Sequence, residues 1–191
     1  MKEELNLSLP LPPSVNSYMD YKVRRVGKKL KVESYPSAEY VEFTHVATKI
    51  IKDYMKDAFW DFAYRGEYIR VEVTVYFNRL GMDADNIFKC LLDTLERTQL
   101  IYQDDSYVLP VIKNVYIDKD NPHVEVKIYK DEKIGVFNNV DELEEFEECN
   151  CKNCSKNKEH CAVYKGFLEN RVHDLEPGVK KCKRLKEYKS K

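Results

Sequence analysis

The stretch D-A-D-N-I-F-K-C-L-L-D-T-L-E-R-T-Q-L-I-Y-Q-D-D, residues 83–105, opens on two carboxylates one residue apart and closes on a carboxylate pair, Asp104 and Asp105. Its middle has helical periodicity. Ile87, Cys90, Leu91, Thr94 and Leu95 form one stripe, while Asn86, Lys89 and Asp93 recur at i, i+3 and i+7 on another. A plain surface helix does not need acidic clusters at both of its ends. The spacing therefore points to a helix starting near Asp85 whose two acidic flanks meet in space.

The segments on either side are strands. Residues 68–77, Y-I-R-V-E-V-T-V-Y-F, alternate strictly and are rich in β-branched side chains. A turn at Gly81 then delivers Asp83 and Asp85. Beyond Asp105, residues 107–118 and 123–129 form two more strands joined by the turn D-K-D-N-P. Upstream, residues 5–11 alternate as L-N-L-S-L-P-L, a short strand that stops at Pro12 and Pro13, which lack amide donors. A basic piece follows, with a turn at Gly27 and Lys28, and suits a ragged hairpin. Its cations Lys22, Arg24, Arg25, Lys28, Lys29 and Lys31 fit a phosphate-contacting flap, and equally a solvated loop. Ser37 is placed to cap a helix running to about Ala58, with Val41, Val46, Ile50, Ile51, Tyr54, Met55 and Phe59 as its apolar positions. The order β, hairpin, α, β, α, β, β predicts an α/β fold, two main helices packed on a mixed sheet.

At 191 residues and 43% hydrophobic, the chain can bury the core of one ordinary domain and carry a small appendage. A formal net charge of −1 excludes a polycation, so any nucleic-acid contact must come from a local basic patch. No apolar run suits a signal peptide or a membrane span, and the expectation is a cytoplasmic protein with no membrane partner and no small-molecule organic cofactor. In that compartment the cysteines are expected as thiols, not disulfides. All but Cys90 fall late in the chain, which suggests a metal knuckle. The expected organisation is a main domain over residues 1–130, an acidic linker over 131–148 and a cysteine-rich module over 149–191.

Asp83, Asp85 and Asp105 can converge if the two strands flanking the helix are neighbours in the sheet. Three carboxylates alone would raise one another's pKa values, and a hard cation such as Mg²⁺ relieves that conflict. Such a site can activate water and stabilise charge on a phosphodiester. Lys89, one turn after Asp85, could orient the nucleophile or neutralise the phosphate. The bland alternative is that these aspartates simply cap helices and turns, where Asp is favoured on its own account. Asp93 is as well placed for an i,i+4 ion pair with Lys89 as for a metal.

The set D-A-D-N-I-F-K-C-L-L-D-T-L followed by Q-D-D-S-Y-V resembles the RusA family of Holliday junction resolvases, and so does the start L-P-L-P-P-S-V-N-S-Y. Together they span residues 5–129 in the family's order. The resemblance implies a homodimeric, Mg²⁺-dependent endonuclease that cuts four-way DNA junctions by paired nicks in recombination and repair. It matches Asp83, Asp85 and Asp105 to the catalytic, metal-binding aspartates and Lys89 to the essential lysine, with Asn86 and Asp93 as accompanying positions. The spacing between Leu95 and Asp104 is one residue longer than the family's, which keeps Asp104 open as the alternative to Asp105. Two-fold symmetry of a dimer would suit the junction's own. In this setting the basic hairpin becomes a DNA-gripping element, and Asn16 and Tyr18 either contact DNA or cap the turn and pack the core. The rival readings are a branched-DNA binder without catalysis and a nuclease for other branched or flapped DNA.

The late cysteines lie outside that resemblance. Cys151 and Cys154 have knuckle spacing, and Cys161 and Cys182 would complete a four-thiolate site. Zinc is the favoured ion, and an iron–sulfur cluster is the rival for the same thiolates. Cys149, His160 and His173 compete as ligands. Cys90, on the apolar stripe, is expected as a small buried side chain. The basic end (Lys180, Lys181, Lys183, Arg184, Lys186, Lys189 and Lys191) suits an auxiliary DNA contact or a protein-recruiting surface.

Overall fold

The computed structural model describes residues 4–27, 29–152, 154–176 and 181–185. The chain forms two compact units: Met1–Arg65 with Ile69–Lys130, and Gly66–Tyr68 with Asp131–Lys191.

In the first unit, alternation along the strands decides which face is buried. β1 (Glu4–Pro10) buries Leu5, Leu7 and Leu9, and β4 (Ile69–Phe77) buries every second residue from Ile69 to Phe77. Between them in the chain lie β2 (Met19–Val26), β3 (Lys29–Pro36) and α1 (Ala38–Met55). After β4 come α2 (Phe88–Thr98), β5 (Val108–Ile117) and β6 (His123–Lys130). The sheet order is β1-β6-β4-β5. β6 runs antiparallel to both β1 and β4, while β4 and β5 are parallel. The parallel pair requires a crossover, and α2 supplies it. β5 is the sheet edge, mostly exposed after Val108, and it tolerates Pro110 for that reason. The mixed α/β sheet with two helices is the fold expected from sequence.

The predicted stripe of α2 is the buried one, with Ile87, Cys90, Leu91, Thr94 and Leu95 all inside. Thr94 is satisfied there by donating from Oγ1 to the Cys90 carbonyl at 2.8 Å. Ser37 caps α1 as expected, its Oγ accepting from the Tyr40 amide at 3.2 Å. The face of α1 differs from expectation. Tyr40, Phe43, Ala47 and Ile51 are buried, whereas Val41, Val46 and Tyr54 are exposed, and Phe59, beyond the helix, is 82% exposed. Tyr40 turns inward because its hydroxyl accepts from Arg97 Nη2 of α2 at 3.0 Å and its ring lies 5.7 Å from that of Tyr18. The helix stops at Met55, short of the expected Ala58.

The second unit has its own small core of Phe137, Phe146, Phe167 and Leu175. The acidic run expected as a linker folds instead as α3 (Val140–Phe146), capped by Asn139, and contributes Phe146 to that core. A π-helical turn, Glu147–Cys151, continues it. α4 (Ala162–Leu168) and the two-residue strands β7 (Leu175–Glu176) and β8 (Lys181–Cys182) complete the unit. Gly135 has φ +55°, and a Cβ there would stand 2.1 Å from the Phe167 carbonyl oxygen. Only glycine fits this crossing of the chain over α4.

Candidate active site

The first acidic flank is a 3₁₀ turn, Ala84–Ile87, that runs directly into α2. Asp83 precedes it in extended conformation and accepts from Asn86 Nδ2 at 3.4 Å. Asp85 lies within the turn and is exposed, its carboxylate without a protein partner among the described residues. One turn further on, Lys89 Nζ binds Asp93 Oδ1 at 2.6 Å. That hydrogen bond raises the Lys89 pKa against the opposing effect of desolvation, and the charges of Asp93, Asp105 and Tyr18 add to it. Lys89 is therefore held as a cation, one turn past Asp85 and within electrostatic reach of Asp105.

The second flank is a loop clamped from two sides. After α2 the chain turns at Gln99, whose φ is +51°, and then buries Ile101 and Tyr102. Trp60 Nε1 donates to the Ile101 carbonyl at 2.9 Å, and Ala63 exchanges backbone bonds with Ile101 and Gln103. Tyr102 donates to the Leu92 carbonyl at 3.1 Å. Burial pushes its phenol well above the ordinary value, and the charges of Asp105, Glu96 and Asp93 push the same way. Above this floor, Glu96, Asp104 and Asp105 each bring an oxygen within 4.8 Å of the others.

Asp104 and Asp105 differ in what their oxygens do. Asp104 Oδ1 accepts from the Ser106 amide at 3.0 Å and from the Ser106 hydroxyl. Its Oδ2 accepts from Arg65 Nε at 3.2 Å and Nη2 at 2.9 Å. The Ser106 bonds first, and Arg65 after them, hold its carboxyl below the usual range. Asp105 uses its amide, which donates to Glu96 Oε1 at 3.4 Å, and its carboxylate has no protein partner among the described residues. Of this group Asp105 is the member whose carboxylate is left to meet a hard divalent cation, which prefers oxygen ligands and retained water.

The N-terminal motif meets the first flank. Pro12 and Pro13 are buried, and Ser14 closes the next turn by accepting at Oγ from the Asn16 amide, 3.3 Å, and at its carbonyl from Ser17, 2.9 Å. The Val15 amide donates to the Asn86 carbonyl at 2.7 Å. Asn16 is left exposed.

Among the expected DNA-contacting residues, the β2–β3 hairpin splits its cations between two faces. By register, Lys22, Arg24, Lys29 and Lys31 share one face, and Arg25 lies on the other with Tyr21, Val23, Leu30 and Val32. Lys22 and Lys31 approach Glu33 at 3.8 and 3.9 Å. Lys28 lies outside the described residues, as do Lys180, Lys186, Lys189 and Lys191.

The structure thus gathers Asp105 and Asp104 with Glu96, which sequence reading missed, while Asp83 and Asp85 stand outside that 4.8 Å group. Glu96 had a signal: it extends the Asn86, Lys89, Asp93 stripe by another three residues. Arg65 had none, being a loop cation whose role appears only through Asp104. Cys90 is buried, and desolvation pushes its thiol up to about 12. In the second unit, Cys151, Cys154, Cys161 and Cys182 line one cavity, and Cys149 is exposed and takes no part in it.

An α/β domain with a parallel strand pair, a crossover helix flanked by carboxylates and a lysine held as a cation beside them has the makings of a phosphodiester-cleaving enzyme. A family model described as Endodeoxyribonuclease RusA matches residues 12–129, and the chain belongs to that family. It is an endodeoxyribonuclease. No curated protein matches the chain. Among the described residues, no helix is long and apolar enough to cross a membrane.

Proposed function

We propose that this protein resolves four-way DNA junctions by Mg²⁺-dependent nicking, acting as a homodimer. The observation that carries the reading is the position of Lys89, one turn beyond Asp85 and within electrostatic reach of Asp105. Asp83, Asp85 and Asp105 would hold the metal, and Asp105 is preferred over Asp104 because the latter's oxygens are engaged by Ser106 and Arg65. When bound, Mg²⁺ supplies an activated water and neutralises charge developing on the scissile phosphate. Lys89 contributes a fixed positive charge at the same phosphate. Asp93 positions that charge, and Glu96 keeps the Asp105 backbone in place by accepting from its amide.

DNA is gripped by the cations on the charged face of the hairpin, Arg24, Lys29 and Lys31, with Asn16 exposed beside the acid-bearing turn. Two such sites related by a dimer axis would nick opposite strands of a junction that is itself nearly two-fold symmetric. The second unit is an appendage organised by a thiolate-bound metal, separate from the cleavage chemistry.

The test is nicking of a synthetic four-way junction with Mg²⁺, comparing wild type with Asp85→Asn and running forks and flaps alongside. Symmetric, Mg²⁺-dependent nicks that vanish in the variant are expected. Junction binding with no Mg²⁺-dependent cleavage would sink the enzymatic reading, and equal cleavage of flaps would sink the junction assignment.

A further inference from the structure

We propose that Cys151, Cys154, Cys161 and Cys182 bind an iron–sulfur cluster that organises the second unit. This deepens the reading of that unit as a metal-bearing appendage and does not depend on the nuclease chemistry of the first.

The four thiols come from three separate pieces of chain. Cys151 ends the π-helical turn, Cys154 follows in a tight turn in which its amide donates to the Cys151 carbonyl at 3.2 Å, Cys161 is the residue before α4, and Cys182 lies in β8. All four line a single cavity, with Phe146, Val163 and Phe167 among its other walls. Cys151 lies within electrostatic reach of the other three. Idle thiols have no reason to converge from so far apart in sequence.

The local structure is built to aim them. The π-helical turn, marked by Lys152 N donating to Glu147 O at 3.0 Å, shifts the phase of the helix so that Asn150 points inward beside Cys151. Asn150 is 5% exposed and fully used: Nδ2 donates to the Phe146 carbonyl at 3.0 Å, and Oδ1 accepts from the Cys182 amide at 3.0 Å. This ties β8 to the α3 segment at the position where Cys182 must face the cavity. Desolvation raises the Cys182 thiol pKa, and the Arg184 backbone lowers it against that larger effect, an influence of the kind that tunes thiolates in iron–sulfur sites.

The spread of the sulfurs chooses between the two metal centres. Four thiolates on one zinc at about 2.3 Å would lie within about 4 Å of one another and leave no room between them. Here, among the described residues, no three of these sulfurs come within 4.8 Å of one another, a wider spread than one zinc would hold. Thiolates that each bind a different iron of a cluster stand further apart in this way. The competing ligands are excluded by position: Cys149, His160 and His173 are all exposed and do not line the cavity. Without a metal centre, the core of Phe137, Phe146, Phe167 and Leu175 is too small to hold the unit together.

The experiment is anaerobic purification of the full chain, followed by iron, zinc and acid-labile sulfide analysis and visible absorption. Iron and acid-labile sulfide in equal amounts, with charge-transfer absorption, are expected. The signal should be lost in Cys161→Ser and Cys182→Ser, and kept in Cys149→Ser. One zinc per chain without iron, no metal at all, or iron retained in Cys182→Ser would each overturn the assignment. The wild-type measurement stands even if the serine variants fail to fold. Asp85→Asn should keep its full iron content while losing cleavage, which separates failure of the cluster from failure of the nuclease reading.

Discussion

The backbone amide of Val15 donates to the carbonyl of Asn86 at 2.7 Å, and this bond fastens the Pro-Pro-Ser loop to the turn that carries Asp83 and Asp85. Two motifs some seventy residues apart (~70, an extended span of well over 200 Å by the usual reach per residue) become one site through it. The bond uses main-chain atoms only, so it constrains the acid-bearing turn without depending on side-chain chemistry. Val15→Pro removes the donor, while Val15→Ala keeps it. The alanine variant should cleave like wild type. The proline variant should lose about 10- to 100-fold in kcat, the scale for a small misplacement of a catalytic group, with its circular dichroism unchanged. Equal activity of the two variants would show that the loop does not position the site.

Asp104 and Asp105 are neighbours with different duties. Asp105→Asn should lower cleavage by about two to three orders of magnitude, the range for losing a group that stabilises transition-state charge, and should raise the Mg²⁺ concentration needed for activity. Asp104→Asn weakens the capping of its turn and the Arg65 pair, so its main effect should be on thermal stability, with Mg²⁺ dependence little changed. Parallel Mg²⁺ titrations of the two variants decide the matter. A larger shift for Asp104→Asn would reverse the assignment.

Lys89 and Asp93 give a pH dependence with a definite sign. The Asp93 hydrogen bond raises the Lys89 pKa above its ordinary 10.5. The stabilisation from this pair is therefore complete below that ordinary value and is lost as pH rises through the higher folded-state pKa. In Asp93→Asn the pair is gone, so the alkaline limb of the cleavage profile should move to lower pH. Lys89→Met should abolish the limb together with most of the activity. An alkaline limb that stays in place in Asp93→Asn would mean that Lys89 is not the group titrating.

Much of this arrangement was legible in the sequence, for physical reasons that differ by element. The stripe of α2 and the alternation of β4 are strong because nearly every inward position is apolar. α1 was misphased because its apolar residues occupy more than one face, and the choice between Val41 and Tyr40 is made by Arg97 of α2, which no local pattern reveals. Glu96 was within reach as the next member of a stripe already recognised. Arg65 was not, since a loop cation acquires meaning only from the carboxylate it meets, here Asp104 across nearly forty residues of chain (~40), where the cost of loop closure is met by the sheet rather than by the pair.

The thiols offer a direct chemical readout. Cys90 is 1% exposed, and burial pushes its pKa up to about 12, so almost none of it is thiolate at neutral pH. Brief alkylation of the folded protein should label exposed Cys149 and spare Cys90 until denaturant is added. Mass mapping of the adducts checks this. Early labelling of Cys90 would show that α2 opens locally far more often than its packing implies.

The hairpin makes the last prediction. Arg24, Arg25 and Lys29 form no ion pair among the described residues, whereas Lys22 and Lys31 are shared with Glu33. Cations already paired within the protein release less counterion on binding DNA, so the unpaired cations that face the DNA should dominate the salt dependence. Each neutralisation, Arg24→Gln, Arg25→Gln or Lys29→Gln, should reduce the slope of log K against log salt by about 1 if that side chain contacts a phosphate. Register places Arg24 and Lys29 on the charged face and Arg25 among Tyr21, Val23, Leu30 and Val32. A single DNA-facing surface therefore predicts a change for Arg24 and Lys29 and almost none for Arg25. Binding isotherms on a junction made uncleavable by Asp85→Asn, measured over a range of salt, test this. A uniform effect of all three would mean that DNA reaches both faces of the hairpin, and no effect from any would remove the hairpin from the interface.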